Sequence, residues 1–432
     1  MRVGAARLAD GSGALSRSVG EETAAGAPEP RQADAHRVGR WSPRVRWRLL
    51  PWWGRVVVVY LAARVVSIVV VLQFAHAQPA NAWTGARPGY FEYANIWDGR
   101  WYAFIAAAGY PTELPFTEDG HVAENAWAFL PVFPGVVRLF TTVGVPWDVA
   151  SVVIALVAGL AAALVLHRLM SRVLDPDQAL FAVVLFCVAP VSPIMGFGYA
   201  ESLGFLWLAL ALLLLVDRRY GWLVPVIGIW AFTRPGALAF ALALGLHWIV
   251  RWFTRSRDPF PVRERVVAAS VALFAAVVGL AWPAIAWAFT GEPAAYTDTE
   301  LAWRAPYIGY VELVPLTPWF QSGDWWLGQP MGTILPIALV VGFAVLLFTP
   351  WVRRLGVDIR LWLASYALYL LAVFFPQSST FRLLAPLFPI VGAFAVPRSP
   401  WWRGSLVAAS IALQAVWLRI GWFIDGYDWT PP

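Results

Sequence analysis

Apolar runs long enough to cross a bilayer recur along the chain, separated by short polar or aromatic-rich breaks. A span needs roughly 17–25 residues, and stretches of about that length lie near 55–75, 149–167, 178–197, 200–216, 265–289, 331–350, 360–376, 383–397 and 404–424. The stretch 221–252 is interrupted by Thr233-Arg234-Pro235 and bracketed by arginines. Proline removes a backbone donor and disfavours helix at the residue before it, so two short helices meeting at a turn at 233–235 are expected there. The pattern predicts an all-α integral membrane protein, a polytopic bundle of about eleven transmembrane helices.

Composition strengthens this. Only 13% of residues are charged and 59% are hydrophobic, whereas soluble domains carry roughly 25% charge. The net charge of +6 is not a nucleic-acid signal, because the basic residues sit at the ends of apolar runs. All 32 are arginine, since the chain has no lysine; 24 of them (ten in 1–55 and fourteen in loops such as those holding Arg168, Arg218, Arg251, Arg353 and Arg398) fall on one side if the N-terminus is cytoplasmic. That is the asymmetry the positive-inside rule describes. It places 76–148, 290–330 and the C-terminal 425–432 on the extracytoplasmic side of a membrane domain covering 51–424. Residues 1–50 have few large apolar side chains before Trp41 and no apolar core after a basic start. They read as a disordered basic cytoplasmic tail rather than a cleaved signal peptide. The tail's basic end serves either as a topology anchor or as a contact to anionic lipid. The single cysteine, Cys187, permits no intrachain disulfide.

The two outer loops are long and rich in Trp, Tyr and carboxylates, and long loops are usually functional. The densest stretch runs from Tyr90 to Pro111. Tyr93, Trp97, Trp101 and Phe104 recur at helical spacing, which predicts an aromatic stripe on an interfacial helix ended by Gly109 and Pro111. Asp98 lies beside that stripe. A carboxylate desolvated at the interface gains basicity and can take a proton from a hydroxyl; alternatively it only pairs with Arg100. Glu92, six residues before Asp98, would face away from it on one helix.

Trp97-Asp98-Gly99-Arg100-Trp101-Tyr102, with Gly109-Tyr110-Pro111 after it, resembles the signature of the PIG-V-type mannosyltransferases of GPI-anchor assembly and their bacterial relatives. Ala128-Phe129-Leu130-Pro131-Val132-Phe133-Pro134, Tyr199-Ala200-Glu201-Ser202-Leu203 and Thr233-Arg234-Pro235 resemble later segments of that family in the same order. Phe381-Arg382-Leu383 is a weaker match, with leucine where the family often has tyrosine. The resemblance spans roughly 55–395 and leaves the tail and the 290–330 loop unmatched. It implies a GT-C-type glycosyltransferase with a large first extracytoplasmic loop. Such enzymes use a polyprenyl-phosphate-linked sugar donor, act with inversion, and carry a catalytic acid in the first outer loop, here matched by Asp98.

Other residues acquire expected roles in that frame. Glu201 either binds acceptor hydroxyls, tunes an arginine, or joins two helix ends. Arg382, Arg234 and Arg100 are candidates for the donor phosphate, since a guanidinium fork matches phosphate oxygens; the alternative is snorkelling to headgroups. Trp97 and Tyr102 are expected at the substrate. Asp298, Glu300, Glu312 and Asp324, set among tryptophans, suit either sugar binding or a loop resting on the interface. His76 and His121, near Glu118, Asp119 and Glu124, lack the spacing of a metal motif, so no metal or other cofactor is expected. No glycine-rich nucleotide loop is present, and the inner loops are too short to form a nucleotide-sugar domain. The expected partners are a polyprenyl-phosphate sugar, a membrane glycolipid or lipoglycan acceptor, and the bilayer. A lipid-linked-sugar transporter or flippase, or a transferase of arabinose or glucose, remains a rival from the same residues.

Overall fold

A computed structural model describes residues 43–425. The chain divides into two units, Met1–Leu49 and Leu50–Pro432. Most of the expected disordered tail lies outside the described residues. Its last part, Pro43–Leu49, is helical rather than disordered.

The second unit is built from helices, and no strand occurs among the described residues beyond one isolated bridge between Phe116 and Val122. Among the described residues, six helices are long and apolar enough to cross a membrane: Trp52–Ala77, Trp147–Met170, Ala237–Thr254, Val262–Thr290, Gly356–Val373 and Pro400–Gly421. Shorter apolar helices, among them Pro176–Val188, Glu201–Val216, Tyr220–Ala231 and Met331–Leu347, lie between them. Large apolar side chains remain on the outer faces of these helices, for instance Val58, Leu61, Val65 and Leu72 on the first. A helix apolar on every face is at home in lipid rather than in water. The chain is a multi-pass, all-helical membrane protein.

Two expected spans are absent as drawn. The one at 178–197 ends at Val188, and a short 3-10 turn, Ser192–Gly196, follows. Pro190 and Pro193 cause the break, and the carbonyls they strand are met by other helices. Arg64 donates to the Cys187 and Ser192 carbonyls, and Gln414 donates to the Val188 carbonyl at 2.9 Å while accepting from Ser67. Arg64, an oddity in the sequence, thus serves the backbone groups that lipid could not. The second is 383–397, where Pro386 and Pro389 leave a 3-10 segment, Ala385–Ile390, and a four-residue helix, Val391–Phe394.

The two long loops, 76–148 and 290–330, are not structureless. The first holds Tyr90–Tyr93, Asp98–Ala108, the 3-10 turn Ala126–Ala128 and Val132–Thr141; the second holds Ala295–Ala302, Ala305–Ile308 and Pro318–Leu327. The loops bind each other and the bundle. Asn125 donates to Thr299 at 2.8 Å, the Trp282 indole donates to the Trp127 carbonyl at 2.9 Å, and the Val132 amide donates to the Phe232 carbonyl at 3.0 Å.

The anticipated aromatic stripe is broken. Tyr90–Tyr93 and Asp98–Ala108 are separate helices, and Trp97, immediately before the second, has φ 57°. A bulky residue at positive φ costs of order 1–3 kcal/mol and persists only where its surroundings over-determine it. Here Tyr199 does so. Its hydroxyl donates to the Ile96 carbonyl at 2.9 Å and accepts from the Asp98 amide at 3.1 Å, which locks both sides of the kink. Gly198 makes the approach possible, because a Cβ there would lie 2.0 Å from Asn95 Oδ1.

Candidate functional site

Four segments distant in sequence deliver charged side chains to one place. Asp98 opens the Asp98–Ala108 helix and Glu201 opens the Glu201–Val216 helix, so both carboxylates sit in first turns, where the helix dipole favours negative charge. Arg234 comes from the turn between Tyr220–Ala231 and Ala237–Thr254, as the Thr-Arg-Pro triplet predicted. Arg382 comes from the short turn Thr380–Leu383. Gly204 lets the Arg234 stem lie against the Glu201 helix; a Cβ there would stand 3.0 Å from Arg234 Cγ.

The four form an alternating ladder. Asp98 Oδ2 is ion-paired and hydrogen-bonded with Arg382 Nη1. Arg382 Nε lies 3.6 Å from Glu201 Oε1, and the same oxygen lies 3.3 Å from Arg234 Nη1. The Arg382 guanidinium also stands over the Tyr199 ring, 5.6 Å from its centroid. Asp98, Glu201 and Arg382 are 5%, 2% and 8% exposed. Such a buried array is tolerable only because charges of opposite sign are matched within it. Burial pushes the Asp98 carboxyl above its ordinary range, against the opposing pull of Arg382; Glu201 pushes in the same direction as burial. The Arg382 and Arg234 guanidiniums stay cationic, with Asp98 and Glu201 countering the cost of their burial.

Two cavities meet at this ladder. The larger, about 330 Å³, has mostly apolar walls, including Phe205, Leu208, Trp230, Leu280, Trp282 and Leu370. The smaller, about 190 Å³, is lined by Asp98, Glu124, Ser379 and Gln377 with Phe129 and Trp303. Arg234, Arg382, Glu300 and Arg304 line both. An elongated amphiphile could therefore lay an apolar tail in one cavity and a polar head in the other, with an anionic link at the arginines between them.

The other expected site residues are placed differently. Arg100 is exposed and donates to the Trp83 carbonyl at 2.6 Å, so it neither pairs with Asp98 nor joins the ladder. Trp97 is buried against Trp83, with ring centroids 5.1 Å apart. Tyr102 is buried among Phe129, Phe133 and Tyr199. Neither Trp97 nor Tyr102 is among the residues lining the two cavities; they hold the Asp98 turn in place. Glu92 is exposed, and it lies on the Tyr90–Tyr93 helix rather than on one helix with Asp98. His121 stacks on Tyr310 with centroids 4.0 Å apart. Among the described residues, no group of three or more His, Cys, Asp or Glu side chains is placed to hold a metal.

Sequence reasoning missed Arg304 and Tyr296, and it noted Glu124 only as a neighbour of His121. Arg304 donates to the Val373 carbonyl and so fastens the second loop to the end of the Gly356–Val373 helix. Burial raises Glu300, opposed by Tyr296 and Arg304, whereas Glu124 stands exposed at the edge of the smaller cavity.

Fold and site together define a multi-pass helical membrane protein with a buried arginine–carboxylate ladder between an apolar and a polar cavity. Part of the chain is similar to the GPI alpha-1,6-mannosyltransferase 2 of Mus musculus, 30% identical over 162 residues, which is 35% of this chain and 28% of that protein. The proteins of the same name from Cricetulus griseus and Rattus norvegicus are 28% and 29% identical over the same length. The matched stretch thus spans little more than a quarter of these relatives, and less of this chain than the motifs from 55 to 395 suggested. No protein-family model matches the chain. Among solved structures, the apo Archaeoglobus fulgidus oligosaccharyltransferase aligns with 85% of this chain and 57% of its own, at 12% identity and TM-score 0.44. The Archaeoglobus fulgidus oligosaccharyltransferase AglB in complex with an inhibitory peptide and a dolichol-phosphate aligns at 15% identity and TM-score 0.38, over 83% and 54% of the two chains. Likeness at that level is too slight to assign a fold.

Proposed function

We propose that this protein is a GT-C-type membrane glycosyltransferase. It transfers mannose from a polyprenyl-phosphate-linked donor to a lipid or glycolipid acceptor on the extracytoplasmic face, with inversion. The observation that carries the proposal is the junction of an apolar and a polar cavity at Arg234 and Arg382, with Asp98 on the polar side. Mannose is the sugar named for the mammalian relatives, and that partial likeness is its support.

In this reading the isoprenoid lies in the apolar cavity and the donor phosphate sits between Arg234 and Arg382. The acceptor hydroxyl approaches Asp98 from the polar cavity. Asp98 takes the hydroxyl proton, and the oxygen forms its bond to the anomeric carbon on the face opposite the phosphate. The bond from that carbon to the phosphate oxygen breaks, and its electron pair leaves with the lipid phosphate. The two arginines stabilise the growing negative charge, an interaction stronger in the transition state than in the bound donor. In the ligand-free ladder Arg382 is occupied by Asp98. An incoming phosphate competes for that guanidinium, which frees Asp98 and makes it more basic. Glu201 keeps both arginines oriented without needing to touch substrate.

The test is transfer by the purified protein in liposomes. Radiolabelled polyprenyl phosphate mannose should label a lipid acceptor, and GDP-mannose alone should not. Labelling from the soluble nucleotide sugar that ignored the lipid donor would overturn the proposal.

A further inference from the structure

The polar cavity contains more recognition chemistry than the transfer step uses. Ser379 is 4% exposed, lines that cavity, and among the described residues its hydroxyl has no hydrogen-bond partner. The Trp303 indole nitrogen, in the same wall, also lacks a partner among the described residues. Buried polar atoms are nearly always satisfied in a working state, so these two point to a missing ligand. Glu124 and Glu300 line the cavity with them. Glu124 stands at the exposed edge of the cavity, where its carboxylate oxygens can accept from hydroxyls. The Trp303 ring packs edge-on against Phe129, 6.0 Å between centroids, and both offer apolar surface to the cavity. Three carboxylates, from Asp98, Glu124 and Glu300, face three guanidiniums, from Arg234, Arg304 and Arg382. With the donor phosphate at Arg234 and Arg382, what remains of this lining attracts no second anion. It suits a neutral ring carrying several hydroxyls and an apolar C–H face.

We infer that Glu124, Glu300 and Ser379 form a hydroxyl-reading wall that holds a neutral pyranose of the acceptor and selects which of its hydroxyls reaches Asp98. The inference rests on the proposed transfer reaction. It assigns linkage selection to Glu124 of the first long loop, Glu300 of the second and Ser379 of the 377–382 turn, none of which carries the proton transfer. Ser379 and Glu124 line the polar cavity and not the apolar one, so their effect belongs to the acceptor side. Glu300 lines both and braces the junction.

The experiment uses the full chain in a sugar-free detergent or in nanodiscs, with n-octyl α-D-mannopyranoside as the acceptor probe and polyprenyl phosphate as the donor-side probe. Calorimetric titration reads binding without turnover. Glu124→Gln and Ser379→Ala should weaken the mannoside about tenfold, the loss expected for one hydrogen bond to a charged or buried partner, and leave polyprenyl phosphate binding unchanged. In transfer assays the same variants should raise the acceptor KM and not the donor KM, and Ser379→Ala should give mixed linkages on the product. The inference is overturned if mannoside binding is unchanged in both variants, or if polyprenyl phosphate binding weakens instead. If wild-type protein binds the mannoside through this wall yet never transfers from the lipid donor, the transfer reading fails while the sugar site stands.

Discussion

Replacing Asp98 by asparagine separates chemistry from structure, provided its effect on the ladder is taken into account. The native ladder holds two carboxylates and two guanidiniums. Asparagine at 98 removes one negative charge and leaves Arg382, 8% exposed, with only Glu201 at 3.6 Å, an oxygen already shared with Arg234 at 3.3 Å. Removing one partner of a buried pair costs about 3–5 kcal/mol. Total stabilities run to about 5–15 kcal/mol, so the variant should be visibly less stable. The sequence alone placed Asp98 beside an aromatic stripe at the membrane interface; the structure buries it, at 5% exposed. Adding Arg382→Gln restores neutrality, leaving Glu201 with Arg234, and should recover much of the lost stability. Activity should not return. Loss of a positioned base lowers turnover by about 10²–10⁴-fold per folded molecule, and loss of a phosphate-binding guanidinium adds to it. Asp98→Glu should keep the charge and the fold but recover little activity, since one methylene misplaces the carboxylate. In the wild type, burial raises the Asp98 carboxyl, so the acidic limb of the turnover profile should lie above the ordinary carboxylate range and vanish in Asp98→Asn. The assays are thermal unfolding in detergent and initial-rate transfer normalised to folded protein. Near-wild-type turnover from well-folded Asp98→Asn refutes the catalytic assignment. A double variant no more stable than the single one refutes the ladder as a coupled unit.

Arg382→Ala should cut use of low donor concentrations about ten- to a hundredfold, the worth of a charged hydrogen bond, and Arg382→Lys less; equal, full activity in both would leave Arg382 a headgroup anchor. Arg64→Met should destabilise the protein by about 1–3 kcal/mol for each stranded carbonyl, with unchanged donor and acceptor KM in the folded fraction. A cysteine placed at Ser256, with Cys187 first replaced, should resist labelling from outside intact cells and one at His121 should react; the reverse would invert the proposed sidedness.

Much of the site was legible because each of its four charged members interrupts a hydrophobic run. In a chain with 13% charged residues, an acid or an arginine at the end of an apolar helix is conspicuous, and Asp98, Glu201, Arg234 and Arg382 could each be singled out. Their mutual pairing could not, because no local spacing relates residues 98, 201, 234 and 382; only the packed bundle does. Local spacing also misled. Arg100, two residues from Asp98, looked like its natural partner, but both lie on the Asp98–Ala108 helix, where residues two apart point to opposite sides, so Arg100 is at the surface and Asp98 is inward; the stripe itself is broken by the kink at Trp97. Nothing local to Trp97 announces that kink. It is imposed by Tyr199, a hundred residues away, which holds both Ile96 and Asp98. The same tyrosine ring lies under Arg382. One side chain thus ties the shape of the first loop to the position of the arginine that pairs with its acid. The Tyr-Ala-Glu-Ser segment therefore acts as a unit: its tyrosine sets the geometry of Asp98, and its glutamate, two residues on, sets that of Arg382 and Arg234.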